Sequence, residues 1–469
     1  MDRADRGSSS ASRARTRGHL VGLSEHGMTG LAQWLALRGL SLSGTEPEPV
    51  EGPALAALRR LGVRAHAGHS PHHYAQNATF LIHGEGIGRE HPDRLVAARE
   101  GVAQATAIDW LGRLMQARLG LSVVGGREAS VTSAMIAWTL ARAGFDPSAV
   151  IGRAAPQLGG WGRLGHGPHF VIEALETPDA LGPPGPRVAV LLGTSETRGS
   201  DGVDATELLR RFAASVPTDG RIFATRDCPR VSAAVLDAVS PVEWLSLEER
   251  DGWWGSDLRE EKGRYRFRAF HRGRFAVEVK LQVPGRRHVL SALAAIAACG
   301  HLDVPSPEIK EGLEEFSGLS RDFESRGSYR GVTLVDDEGR DAPAVAEALA
   351  VGRQVFGPRR LWAVYGPRQE GLTPDDAQRY LSAFGRADRV LIQTRRPPEP
   401  DVRPGWETLA HHLSVAGVGA RWVASLEEAI AELDRDLEPG DVLVTLGAGE
   451  VGTISDAFIR RLSRDRQGR

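Results

Sequence analysis

The apolar run His19-Leu20-Val21-Gly22-Leu23 leads into Ser24-Glu25-His26-Gly27-Met28-Thr29-Gly30, after which Leu31, Trp34, Leu35 and Leu37 fall at helical spacing until Gly39. An apolar strand end, a glycine turn and a helix make the opening of a nucleotide-binding βαβ unit. Leu40 to Gly44 reads as the next strand, and the alternation continues through "ALAALRRLG" (54–62) and "ATFLIHGEG" (78–86), so a small α/β domain ends near residue 116. A second strand, turn and helix starts at Leu119 and runs through "VVGGREASVTSAMIAWTL" (123–140). Within it "HFVIEALE" (169–176) and "RVAVLLGT" (187–194) read as buried parallel strands. "RYRFRAF" (264–270) and "FAVEVKL" (275–281) alternate strictly about "HRGR", a hairpin pattern, and the helices "HVLSALAAIAACG" (288–300) and "IKEGLEEFSGL" (309–319) close this domain. Beyond Arg321, "GVTLVDD", "RRLWAVYG", "ADRVLIQT" and "GDVLVTLGAGEVG" are four strand ends separated by helical segments, a third, doubly wound α/β domain.

At 469 residues the chain is long for one core, which agrees with several domains. A net charge of -2 gives no global attraction to nucleic acid or an anionic membrane. Of the 58 basic residues only Lys262, Lys280 and Lys310 are lysine, which leaves few amines for catalysis. Cys228 and Cys299 build neither a disulfide framework nor a metal site, and a reducing cytoplasm fits them. The start, MDRADRGSSSASRARTRG, is polar and basic, and no stretch approaches 18 apolar residues, so the expectation is a disordered tail over 1–17, no signal peptide and no membrane span. His66, His69, His72 and His73 lack the carboxylate or cysteine company of a metal site, and Trp244, Trp253 and Trp254 read as packing at a domain edge.

Taken in order, His19 to Ala32, Ser43 to Glu46, Gly68-His69, Val123 to Ala137, Phe170 to Glu173, Pro284-Gly285-Arg286, Phe316 to Phe323, Asp336-Asp337 and Gly440 to Gly452 make the chain resemble the Mur ligases from about residue 18 onward. The resemblance implies an α/β chain of three domains: a Rossmann-like N-terminal domain over 18–116 that binds a UDP-sugar, a central P-loop-like ATP-binding domain over 117–319 and a Rossmann-like C-terminal domain over 320–469. It also implies the chemistry: ATP phosphorylates a substrate carboxylate, and an amine displaces phosphate to give an amide. That reaction needs a backbone nest and a cation for the triphosphate, oxygen ligands for Mg²⁺ and an adenine pocket.

The family's Gly-Thr-His-Gly-Lys-Thr loop is here Gly125-Gly126-Arg127-Glu128-Ala129-Ser130. Ala129 removes the cation, Glu128 puts a carboxylate where glycine admits phosphate, and Arg127 is the nearby replacement cation. Glu173 matches a family Mg²⁺ ligand, with a metal-free strand-end carboxylate as the plainer reading. A metal-binding family histidine is replaced by Arg198, which cannot ligate one. The family's Arg-His-Asn-x-x-Asn becomes Arg286-Arg287-His288-Val289-Leu290-Ser291, so both adenine-reading amides are gone. In the last domain Asp336 and Asp337 persist while both histidines of the family's Asp-Asp-Tyr-Ala-His-His-Pro stretch are lost, leaving Arg340 and Arg368 as anion-binding candidates. The family's UDP-sugar loop Gly-Ile-Gly-Gly-Ile-Gly reads Gly22-Leu23-Ser24-Glu25-His26-Gly27, with Glu46 nearby in the match; Ser24 is expected to cap the helix and Glu25 to favour its dipole.

Apolar strands and turn glycines persist where residues that a phosphate, metal or adenine would require have changed. The expectation is a ligase fold with impaired ATP binding, no resident cofactor or metal, and a binding or scaffolding role beside UDP-muramic acid-type precursors or cell-wall synthesis proteins. Two alternatives stay open. One is an active ligase joining alanine or another amine to a UDP-muramic acid carboxylate, with Mg²⁺ on Ser130 and Glu173, ATP as cofactor and Arg127 on phosphate. The other is an anion-binding module built on Arg198, Arg287 and Arg340.

Overall fold

A computed structural model of the chain describes residues 16–47, 52–68, 78–176, 181–182, 185–194, 204–368, 371–394, 405–447 and 449–467. Contacts divide the chain into two compact units: Met1–Trp254 with His271–Arg274 and Ser291–Gly312, and Gly255–Phe270 with Phe275–Leu290 and Leu313–Arg469.

The first unit opens with a parallel sheet of β1 (Arg17–Val21), β2 (Ser41–Glu46), β3 (Arg64–Ala67), β4 (Phe80–His83) and β5 (Ala103–Thr106), in the order β3-β2-β1-β4-β5. Every pairing in it is parallel. Arg17, included in the expected tail, is a strand residue that pairs with Ser41; residues 1–15 of that expectation lie outside the described residues. A second sheet in this unit holds β6 (Leu119–Val124), β7 (Ser148–Ala155), β8 (Gly160–Arg163), β9 (His169–Glu173), β10 (Val188–Leu191), β11 (Arg221–Thr225) and β12 (Val242–Ser246), running β12-β11-β10-β6-β9-β7-β8. Its β7–β8 edge is antiparallel.

The helix Met28–Leu37 is buried at every residue from Met28 to Leu35, which a helix covering one sheet face would not be. The reason is that it packs on β7 and β8 as well as on its own sheet. A Cβ on Gly30 would stand 2.7 Å from the Trp161 carbonyl oxygen, so only glycine allows this approach. Leu20, Leu31 and Trp34 consequently share one core with Val150, Phe170 and Ile172.

The strands β13 (Trp253–Glu261), β14 (Arg264–His271) and β15 (Arg274–Pro284) are successive neighbours joined at Lys262-Gly263 and Arg272-Gly273. Both residues of each turn have positive φ, as a two-residue hairpin turn requires. The expected hairpin is thus a three-stranded meander. The second unit also carries β16 (Glu324–Tyr329), β17 (Val332–Asp337), β18 (Leu361–Gly366), β19 (Arg389–Gln393), β20 (Gly419–Val423) and β21 (Val442–Gly447), in the order β16-β17-β21-β18-β19-β20 with only β16 antiparallel. The four expected strand ends are β17, β18, β19 and β21.

Trp253 stacks on His271 at 4.3 Å between ring centroids and donates its indole N–H to Glu243, while Arg226 covers Trp244 and Arg250 covers Trp254. These tryptophans are packing groups. Among the described residues no helix is long and apolar enough to cross a membrane, and no group of three His, Cys, Asp or Glu is arranged to hold a metal ion. His66 is in β3, whereas His69, His72 and His73 lie outside the described residues.

Candidate functional site

The loop after β6 has the shape its sequence promises. Gly125 and Gly126 end the strand, Gly126 takes φ 54° and ψ -124°, and the helix Arg127–Arg142 starts at once. That backbone belongs to glycine, and it stands at a helix N-terminus, where anions are favoured; the Glu128 and Ala129 amides turn back onto the Gly125 and Gly126 carbonyls. The Gly126 N–H donates to Glu176 Oε1 at 2.9 Å, so this amide is taken by a carboxylate of the chain itself. Glu128 adds a second carboxylate in the first helical turn, and Ala129, in the lysine position, is 2% exposed.

Register explains the next contact. Glu173 ends β9 opposite Val123 of β6, which brings it alongside the first turn of that helix. Ser130 Oγ donates to Glu173 Oε2 at 2.7 Å, and the Gly152 N–H donates to the same oxygen at 2.6 Å. The other oxygen, Oε1, lies 3.0 Å from His26 Nε2. Burial pushes this carboxyl's pKa up, but His26, Ser130 and the Gly152 amide outweigh burial and hold it below the ordinary glutamate value. Mg²⁺ would need these oxygens, and Glu173 has both engaged by protein donors. A Mg²⁺ ion entering here would have to displace the half-exposed His26 ring from Glu173 Oε1. Arg198, at the third family position, lies outside the described residues.

At the end of β1, Gly22 has φ 84° and the helix begins only at Met28, with Gly27 as its N-cap. Ser24 does not cap that helix: its hydroxyl donates to Glu46 Oε2 at 2.9 Å and its amide to Glu46 Oε1. Glu25 is not in the first helical turn either. Its carboxylate covers Gly22 and Gly84, and a Cβ on Gly84 would come within 1.6 Å of Glu25 Oε2. Burial first, then the charges of Glu46 and Glu85, push the Glu25 pKa up to about 7. Three carboxylates therefore gather at the carboxyl edge of this sheet, where open α/β sheets bind ligands. Beneath them lies a buried network: His19 Nδ1 with Ser43 Oγ at 2.8 Å, and Thr45 Oγ1 donating to Asp93 Oδ2 at 2.6 Å.

In the second unit, the Arg287 guanidinium donates to Asp322 at 2.5 Å and Glu347 at 3.2 Å, and His288 Nε2 lies 3.2 Å from Asp322. These two substituted adenine positions are engaged with each other's partner, an aspartate the sequence did not single out. Ser291, placed in the first unit, is buried and its hydroxyl has no hydrogen-bond partner among the described residues. Asp336 and Asp337 end β17 as framework groups. Arg321 Nε donates to Asp336 at 3.0 Å, with Thr445 Oγ1 at 2.9 Å, while Asp337 accepts from the amides of Phe323 and Gly339. Burial, despite Arg321, leaves the Asp336 pKa raised. Arg340 pairs with Glu338, and Arg368 is exposed.

Two sheets in the first unit that each end in a glycine turn before a helix, with a parallel sheet in the second, define an α/β protein of nucleotide-site architecture. Residues 17–119 match the profile of the Mur ligase family, catalytic domain, and residues 323–449 that of the Mur ligase, glutamate ligase domain. The chain thus carries N-terminal and C-terminal Mur ligase domains. It is 28% identical over 450 residues to UDP-N-acetylmuramate–L-alanine ligase of Sulfurihydrogenibium sp. (strain YO3AOP1), covering 95% of this chain and 97% of the relative. It is 29% identical over 449 residues to the ligase of the same name from Nitratidesulfovibrio vulgaris (strain DP4), covering 94% and 98%. The crystal structure of UDP-N-acetylmuramate-alanine ligase from Thermotoga maritima superposes with a TM-score of 0.80 at 19% identity, over 96% of this chain and 100% of that one. A murein peptide ligase from Psychrobacter arcticus 273-4 gives 0.69 at 18% identity, over 96% and 98%. At these identities the structures establish the shared fold.

Ser130 and Glu173, both singled out in the sequence, lie in contact, whereas Glu176 and His26 were not singled out as contact groups. Glu176 closes the stretch "HFVIEALE", and His26 stands where the family's glycine loop has an apolar residue, which is the signal that was present.

Proposed function

We propose that this chain is a pseudo-ligase of the peptidoglycan-precursor type: a cytoplasmic protein with the fold of the UDP-N-acetylmuramate–L-alanine ligases that has lost ATP-dependent ligation and serves by binding or scaffolding beside precursor synthesis. The observation that carries the reading is the hydrogen bond from the Gly126 amide to Glu176. A triphosphate entering this nest would have to displace one carboxylate and lie beside another, Glu128, with alanine in place of the lysine. One like-charge pair at ~4 Å costs ~1 kcal/mol in water and ~4 kcal/mol at an effective dielectric of 20, and a triphosphate brings several charges. The engagement of Glu173 by His26 and the Gly152 amide supports the same reading, as does the pairing of Arg287 and His288 with Asp322.

The test is phosphate release from Mg-ATP by the purified chain with UDP-N-acetylmuramate and L-alanine. The reading expects release no faster than in the absence of alanine. Alanine-dependent release that disappears in Arg127→Ala would establish instead the second reading, an active divergent ligase. That alternative is favoured by one feature, the Ser130–Glu173 pair at 2.7 Å.

A further inference from the structure

His26 belongs to the glycine loop of the first sheet, yet its ring reaches the second. It covers Gly152 so closely that a Cβ there would fall 2.0 Å from His26 Cε1, and its Nε2 is 3.0 Å from Glu173 Oε1. The next residue repeats the pattern, since a Cβ on Gly27 would stand 2.2 Å from Leu175 Cδ2. Glu173 side-chain exposure is 4% against 50% for His26, so the imidazole closes the outer side of an otherwise enclosed carboxylate.

We propose that His26 is an internal latch that takes a cation's place on Glu173, keeping divalent metal off the Ser130–Glu173 pair while pinning the glycine loop of the first sheet to β7 and β9. The proposal rests on the reading that the chain carries no resident cation. Its physical basis is donor matching. Glu173 Oε2 accepts from Ser130 and Gly152, and Oε1 meets the imidazole, so both oxygens have protein partners and a hydrated divalent ion must break the outermost of these contacts to enter. Removing the ring while leaving the carboxylate and hydroxyl in place creates a partly enclosed oxygen pair open on one side.

The experiment uses the full chain and Mn²⁺ without nucleotide, with binding read from the electron paramagnetic resonance signal of free Mn²⁺. Wild type is expected to leave that signal at the buffer value. His26→Ala is expected to acquire a saturable site at least about ten-fold tighter than any in wild type. His26→Gln, which keeps a donor of similar reach, is expected to stay closed, and His26→Ala with Glu173→Gln to lose the acquired site. Equal binding by wild type and His26→Ala, no gain in a folded His26→Ala, or wild-type binding that His26→Ala abolishes would each overturn the latch. Wild type alone supplies a second readout should the alanine variant fail to fold: its His26 ring protons are expected to escape paramagnetic broadening by Mn²⁺, and broadening would overturn the proposal. Mg-ATP calorimetry on the same wild-type sample separates the two readings. Nucleotide binding with the latch intact removes the pseudo-ligase reading alone, and Mn²⁺ on Glu173 without nucleotide binding removes the latch alone.

Discussion

At the edge of the first sheet Glu25 shares a partly buried space with the charges of Glu46 and Glu85, and its pKa rises from 4.5 to about 7. Between those values the folded chain holds a proton that the unfolded chain has released. Stability therefore falls as pH rises through this window and levels off above it. At about 1.4 kcal/mol per pH unit, discounted for Glu25's partial exposure, the loss comes to about 1–2 kcal/mol. Urea midpoints of wild type between pH 4.5 and 8 should show this decline, and Glu25→Gln should flatten it and be the more stable protein above pH 7; a parallel decline in the variant would contradict the assignment. Single residues were the least legible level of this chain. Ser24 and Glu25 each have a sensible role at a helix start, and only the position of Gly27 as N-cap shows that the helix begins too late for either. His26 and Glu173 are distant in sequence, and no spacing rule connects them.

Elements were legible where burial dictates their pattern. The strands β6, β9, β10, β18 and β21 are buried along most or all of their length and stand out as apolar runs. The antiparallel β7–β8 edge and β16 did not stand out: β16 is "ESRGSY", mostly exposed, and is a strand because it pairs with β17. The helix Arg287–His301 was expected almost to the residue, yet its first turn makes an ion pair no helix pattern announces. Arg287 is 14% exposed and Asp322 2%. Removing one partner of such a pair costs about 3 kcal/mol, because the other charge stays buried. Asp322→Ala should therefore cost about that much in urea denaturation, and adding Arg287→Ala should restore part of it, with a coupling of about 2 kcal/mol. Strict additivity would mean that the two side chains do not depend on each other.

Across the whole molecule, fold and site follow different constraints. The fold is carried by apolar strands and close-packed glycines such as Gly30. The site needs particular cations and oxygens at loop ends, and at both glycine turns of the first unit the chain has its own carboxylates, Glu176 at one and Glu25 at the other. A pattern of apolar positions reports the first kind of constraint and is silent on the second. Calorimetric titration of the purified chain with millimolar Mg-ATP, with and without UDP-N-acetylmuramate, decides whether nucleotide binds. A nest held by Glu176 predicts no saturable heat and no nucleotide-induced rise in melting temperature. Saturable binding would contradict it and show that Glu176 leaves the nest and that a cation such as Arg127 meets the phosphates.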